Sequence, residues 1–100
     1  MDGRPLYEGT FFFDPSDKIY AHHFPANPVV PGSLIVHAFI EAAERMAGKR
    51  NPDLIKQFKF KRFISPGEYP FQIRIAADEI RCTLFDKKEI VTTGKLIYET

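Results

Sequence analysis

The sequence predicts an α+β domain in which one long buried helix precedes an antiparallel sheet. Three observations carry this. The run Ser33 to Ala47 contains no helix breaker and is apolar round most of its circumference. From Leu54 onward the hydrophobic period changes from about 3.6 to 2. The strand-like runs that follow are joined by turns too short for crossover connections, so they pair as antiparallel neighbours. A curved sheet wrapped round the helix satisfies all three. Its open edges need cover, and side-by-side pairing of two copies through an edge strand would supply it.

Length and composition suit this architecture. One hundred residues make one small domain, residues 1–100, and a chain of this size gains from oligomerisation. Hydrophobic and charged shares of 44% and 27% are ordinary for a globular protein, and a formal net charge of +1 gives no bulk argument for nucleic acid. A single cysteine, Cys82, excludes an internal disulfide and lies in a strand-like run as a small hydrophobe. No apolar run approaches the ~18 residues of a membrane span. The start, MDGRPLYEG, has no apolar signal core, so a cytoplasmic setting is expected.

Along the chain, Leu6 to Phe13 reads as an aromatic-rich strand, and Asp14 to Asp17 as a turn. Lys18 to Tyr20 leads into a loop. Pro25, Pro28 and Pro31 fix their own φ and keep the preceding residues out of the α region, so His22 to Pro31 is expected to be extended and rigid. Ser33 opens the helix and Gly48 caps its end. On a wheel of about 100° per residue, Ser33, His37, Glu41 and Glu44 share one narrow stripe. On a helix otherwise apolar, that stripe needs a partner: the His22–His23 loop, a second subunit, or a ligand. A plain solvent-facing stripe is the alternative.

Lys49 to Asp53 breaks the chain. Phe58 and Phe60 then alternate with Lys59 and Lys61, and the alternation slips at Arg62–Ile64, suggesting a bulge or strand end. Ser65 to Glu68 is a turn. Phe71, Ile73 and Ile75 mark the next strand, and Ile80, Cys82 and Leu84 the one after. Asp86-Lys87-Lys88 is a tight hairpin turn. Glu89 to Tyr98 is the last strand, with Ile90 and Thr92 on one face and Val91 and Thr93 on the other.

The run His23-Phe24-Pro25-Ala26-Asn27-Pro28-Val29-Val30-Pro31-Gly32 resembles the HFPGxPxxPG signature of the 3-hydroxyacyl-[acyl carrier protein] dehydratases, and Phe63-Ile64-Ser65-Pro66-Gly67-Glu68 is similar to that family's PVLPGD turn. The resemblance extends from about Leu6 to the end of the chain. It implies the hot-dog fold, a homodimer or dimer of dimers, and dehydration of 3-hydroxyacyl thioesters to trans-2-enoyl thioesters on acyl carrier protein or coenzyme A. It implies no cofactor. His23 takes the acid/base role, and the Gly32 N–H, at the positive end of the helix, the oxyanion role. Phe24, Pro31 and Ser33 complete the expected substrate-binding segment. An imidazole suits this chemistry, because a thioester's α-proton is weakly acidic and its removal needs a base with pKa near neutrality.

The departures are informative. The family's helix carboxylate aligns with His37, its glutamine one turn later with Glu41, the glycine before its histidine with His22, and the glycine after HFP with Ala26. Three readings stay open. A protonated His37 donates to the departing hydroxyl while Glu41, at i+4, holds its ring. Glu41 replaces the carboxylate from one turn away, a displacement of ~6 Å. Or dehydration is lost and thioester binding kept. His22 has no assigned role. A His22/His23/His37/Glu41 metal site is not expected, because adjacent histidines in an extended segment point opposite ways. Lys59, Lys61 and Arg62, with Lys56, form a basic cluster. It reads as a docking patch for an acidic carrier protein or as a solvated strand face. The rival functional classes are a non-catalytic acyl-carrier-binding subunit and a thioesterase on the same fold.

Overall fold

The computed structural model describes residues 5–22 and 27–99, the side chains of Ala21 and His22 excepted. The elements in chain order are β1 (Leu6–Phe13), α1 (Ile19–His22), α2 (Gly32–Ala47), β2 (Leu54–Phe60), β3 (Gly67–Ile75), β4 (Glu79–Asp86) and β5 (Glu89–Ile97). The five strands form one antiparallel sheet in the order β1-β3-β4-β5-β2. The strand before the helix and the strand after it therefore form the two edges.

Alternation along each strand decides what faces α2. Phe11 and Phe13 of β1, Phe71 and Ile73 of β3, Cys82 and Leu84 of β4, and Leu96 of β5 are buried. From the helix, Ile35, Phe39, Ala42 and Ala43 meet them. Phe39 is the centre of this layer. Its ring stands edge-on to Phe11 at 5.0 Å and to Phe71 at 6.0 Å, while Phe11 and Phe71 stack at 4.0 Å. The alanines at 42 and 43 let the helix lie close to the sheet. Cys82 is buried as expected, and burial pushes its thiol pKa far up, so it is no nucleophile.

The helix ends as its sequence predicts. Gly48 adopts the left-handed conformation at φ 65°, its N–H reaches Glu44 O at 3.1 Å, and Lys49 N–H reaches Ala43 O at 3.2 Å. Its start differs by one residue. Pro31 (φ −61°, ψ 143°) precedes Gly32, and Pro31 O accepts from Leu34 and Ile35 N–H at 3.0 and 3.3 Å. The helix is also less enclosed than expected. Ile35, Phe39, Ala42 and Ala43 are buried, Leu34, Val36 and Ile40 are half-buried, and Ser33, His37, Glu41 and Glu44 face solvent in the single chain. The sheet covers one side of α2 only.

Three local expectations are corrected. His22 closes the single turn α1 rather than opening an extended segment, because a proline constrains only the residue before it and Pro25 is too far away. Asp17 starts this turn, its Oδ1 accepting Ile19 N–H at 3.0 Å and its carbonyl accepting Tyr20 N–H at 3.1 Å. Of the two readings of Arg62–Ile64 the strand end holds, since β2 stops at Phe60, while the bulge falls earlier, between Lys56 and Lys59, where Gln57 has φ 55°. In β5, Val91 and Thr92 are both buried, because a register shift between Leu84 and Phe85 of β4 breaks strict alternation.

Tyr98, just past β5, is buried, and its hydroxyl has no hydrogen-bond partner among the described residues. Burial raises its pKa, so the group is a neutral, unpaired phenol. Removing an unsatisfied buried hydroxyl recovers a desolvation cost of roughly 1–3 kcal/mol, so Tyr98→Phe is expected to raise the unfolding midpoint. Urea titration checks this, and a lower midpoint would show that the hydroxyl has a partner.

Candidate functional site

The segment entering α2 is anchored by backbone. Val30 N–H donates to Ile64 O at 2.9 Å, which ties the proline loop to the chain between β2 and β3. Tyr69 Oη donates to Ser65 O at 2.5 Å and holds that connection from below. The described end of the first motif, residues 27–32, and the second motif are thus one structural unit. Phe60 of β2 lies against Gly32, where an added Cβ would come within 3.0 Å of its ring. No larger residue fits without moving the ring. A helix start also leaves its first N–H groups without intrahelical acceptors, so this end is electropositive.

One turn further on, His37 Nε2 lies 2.7 Å from Glu41 Oε1, with side-chain exposures of 65% and 53%. The i,i+4 spacing places the pair, as the sequence implies. With Nε2 engaged by the carboxylate, Nδ1 is the nitrogen left to face a ligand. The pair stands on the rim of a cavity of about 340 Å³ between α2 and the C-terminal end of β1. Its floor is apolar, made by Phe11, Phe13, Tyr20 and Leu34. Its rim is charged, with Asp14, Asp17 and Arg45 beside the His37–Glu41 pair. Burial first, then the Asp17 and Asp14 carboxylates, raise the Tyr20 pKa and keep its phenol protonated. Hydrogen bonds from Ser16 N–H and Oγ hold Asp14 below the usual carboxylate range.

The expected site residues divide accordingly. His37 and Glu41 are brought together. Gly32, Pro31 and Ser33 form the helix start, Ser33 being exposed. His23 and Phe24 lie outside the described residues, as does the His22 side chain, so the His22/His23/His37/Glu41 grouping, from which no metal site is expected, lies partly outside them too. Among the described residues no group of three or more potential metal ligands occurs. The basic cluster is less uniform than it looked. Arg62 donates to Asp86 and lies 3.5 Å from Glu89, so its charge is already met, and the Asp86 hydrogen bond raises its pKa further. Lys59 sits on the sheet face turned away from α2, opposite Thr93. The floor residues Phe11, Phe13 and Tyr20 escaped the sequence reading, although strand alternation already put both phenylalanines on one face. Arg45, at i+4 from Glu41, lies beside the stripe and was within reach of the same reasoning.

Comparison with known proteins agrees with the geometry. A 3-hydroxyacyl-[acyl-carrier-protein] dehydratase FabZ from Caldanaerobacter subterraneus subsp. tengcongensis is 30% identical over 93 residues, covering 85% of this chain and 65% of that protein. The FabZ of Lactiplantibacillus plantarum is 38% identical over 61 residues, covering 53% of this chain and 42% of its own length. The chain thus spans less than two thirds of either relative. The solved dehydratase heterocomplex ApeI:P from Xenorhabdus doucetiae superposes with a TM-score of 0.81 at 19% identity, over 95% of this chain and 88% of that one, which identifies the hot-dog fold. A family model described as ApeI-like, ApeI dehydratase, matches residues 4–95, so the chain belongs to the ApeI-like dehydratase family.

Proposed function

We propose that the protein dehydrates 3-hydroxyacyl thioesters, carried by acyl carrier protein or coenzyme A, to trans-2-enoyl thioesters. The 2.7 Å His37–Glu41 contact on the rim of an apolar-floored cavity carries this reading. The acyl chain lies on Phe11, Phe13 and Leu34. Its thioester oxygen takes the amides at Gly32, where enolate charge would develop. His23 removes the α-proton. His37, held by Glu41, hands the proton on its Nδ1 to the departing hydroxyl, which leaves as water. The carboxylate position of related dehydratases is thereby served by an imidazole with a carboxylate behind it, which is the first of the three readings of His37.

A second copy of the chain, or a different chain, would cover the open β2 edge; the ApeI:P dehydratase is itself a heterocomplex. Leu54, Ile55 and Phe60 are 51%, 53% and 44% exposed there, and Phe63 just beyond is 82% exposed. No described helix is long and apolar enough to cross a membrane, and a cytoplasmic location is part of the same proposal.

The test is equilibration of 3-hydroxybutyryl and crotonyl thioesters, followed by enoyl absorbance, with free-thiol release read in parallel. Glu41→Gln is expected to lower kcat about 10- to 100-fold with little change in KM, since the carboxylate acts on the proton donor and not on substrate binding. Wild-type activity in that variant would remove the pair from the mechanism. Thiol release without enoyl formation would favour hydrolysis, and neither signal at any chain length would leave a binding subunit.

A further inference from the structure

Gly32 is the first residue of α2, and it does not use the left-handed region; the described glycines with positive φ are Gly48 and Gly67. Alanine is the better helix former, so backbone freedom does not account for a glycine at this position. The ring of Phe60 does. A Cβ on Gly32 would stand 3.0, 3.2 and 3.3 Å from the ring's Cζ, Cε2 and Cε1. An edge-on approach would leave both Cε atoms much farther off than Cζ, so Gly32 rests on the outer part of the ring's flat face. Yet Phe60 is 44% exposed. A ring packed this closely on one side and open on the other does little for the core and much for the residue lying on it.

The sheet holds the ring in place. The Phe60 backbone pairs with Thr92 of β5, and the next N–H, that of Lys61, donates to Val91 O at 2.8 Å. Phe58 stacks beside Phe60 with ring centroids 6.2 Å apart and planes at 27°. Phe58 is fixed in turn, because it lies so close to Gly94 that an added Cβ there would come within 2.4 Å of its ring, and Phe39 stands 6.2 Å away. Gly94, Phe58, Phe60 and Gly32 thus form one stack that sets the height of the start of α2 above the sheet. The helix ladder opens with Leu34 N–H donating to Pro31 O at 3.0 Å, so the N–H groups of Gly32 and Ser33 precede it. We propose that Phe60 is the positioning residue for these two amides: its ring sets where the thioester oxygen meets its donors. This rests on the dehydration reading, in which the enolate oxygen sits at Gly32. Donors of that kind need to lie within about 0.5 Å of the productive geometry, and the flat face of the ring supplies that precision.

Turnover of 3-hydroxybutyryl and crotonyl thioesters by variants tests this. Phe60→Leu is expected to lower kcat about tenfold and to keep KM within about threefold, since the ring aims the donors and does not hold the acyl chain. Ile55 is 53% exposed on the same edge, and Phe60→Leu should lose at least about fivefold more than Ile55→Ala. Gly32→Ala should also lose about tenfold, through its clash with the ring. Joined to Phe60→Leu it no longer clashes, so the double variant should lose much less than the product of the two single losses. Should Phe60→Leu fail to fold, Phe60→Met, also without a flat face, is read in the same way. Amide NMR adds a readout that needs no turnover. Crotonyl-coenzyme A titrated into isotope-labelled protein should shift the Gly32 resonance, and Phe60→Leu should shrink that shift. If the wild type forms no enoyl product yet Gly32 responds in this way, the positioning role stands and the dehydration reading falls. If the wild type turns over while Phe60→Leu keeps its kcat, matches Ile55→Ala, or shows the same Gly32 shift, the positioning role falls and the dehydration reading stands. Single losses that simply multiply in the double variant would also overturn it.

Discussion

His23→Ala is expected to lower dehydration by roughly 10²–10⁴-fold, the usual contribution of a positioned acid/base. In the proposed mechanism the His23 imidazole is the group that touches the α-proton. The thioester is held by amides and by the apolar floor, so KM should move little. His22→Ala is the control and should stay within a fewfold of wild type. Combining His23→Ala with His37→Ala should cost little more than His23→Ala alone, because residues serving one proton path are not additive. Enoyl absorbance with purified protein reads all of these. Activity of the His23 variant within tenfold of wild type would transfer the role to another group.

The largest stability effect belongs to Phe39→Ala. This ring is fully buried and packs against Phe11, Phe71 and Phe58. Emptying such a site costs about 3–5 kcal/mol, because the surrounding rings cannot collapse fully into the space. That is a large part of the 5–15 kcal/mol typical of a whole domain. The melting temperature should fall by about 15 °C or more. Phe63→Ala offers the contrast: the ring is 82% exposed in the single chain, so its loss should change the folding of the separated chain by less than about 0.5 kcal/mol, and a larger change would report cover by a second copy. Thermal melts of the two variants side by side test this ranking. Equal shifts would mean that Phe63 is covered in solution.

The sequence was readable where local rules suffice. β1 runs from Leu6 to Phe13 as the aromatic cluster and the following Asp-Pro turn imply. The two-residue turn at Lys87 and Lys88, and Gly48 as the helix cap, follow from backbone preferences alone. His37 and Glu41 meet because helix geometry makes i and i+4 neighbours. What escaped depends on contacts remote in sequence. Arg62 looks like a free docking cation until Asp86, 24 residues later, is folded beside it. The cavity floor needs β1 packed against α2. The bulge at Gln57 is set by how β2 meets β5, and nothing in LIKQFKF announces it. The exposure of the α2 stripe likewise depends on how far the sheet reaches round the helix.

That bulge bears on how copies can add to one another. A sheet with two open rims would grow without limit if the β1 rim of one molecule fitted the β2 rim of the next, as in a fibre. Here the rims are unlike. The β2 side is kinked at Gln57 and carries Lys56 and Lys59, while the β1 side is straight and aromatic. A kinked, lysine-bearing border is a poor template for a straight one. Two kinked borders related by a twofold axis can still match each other and close. The departure from a regular strand therefore favours a finite pair over an endless stack.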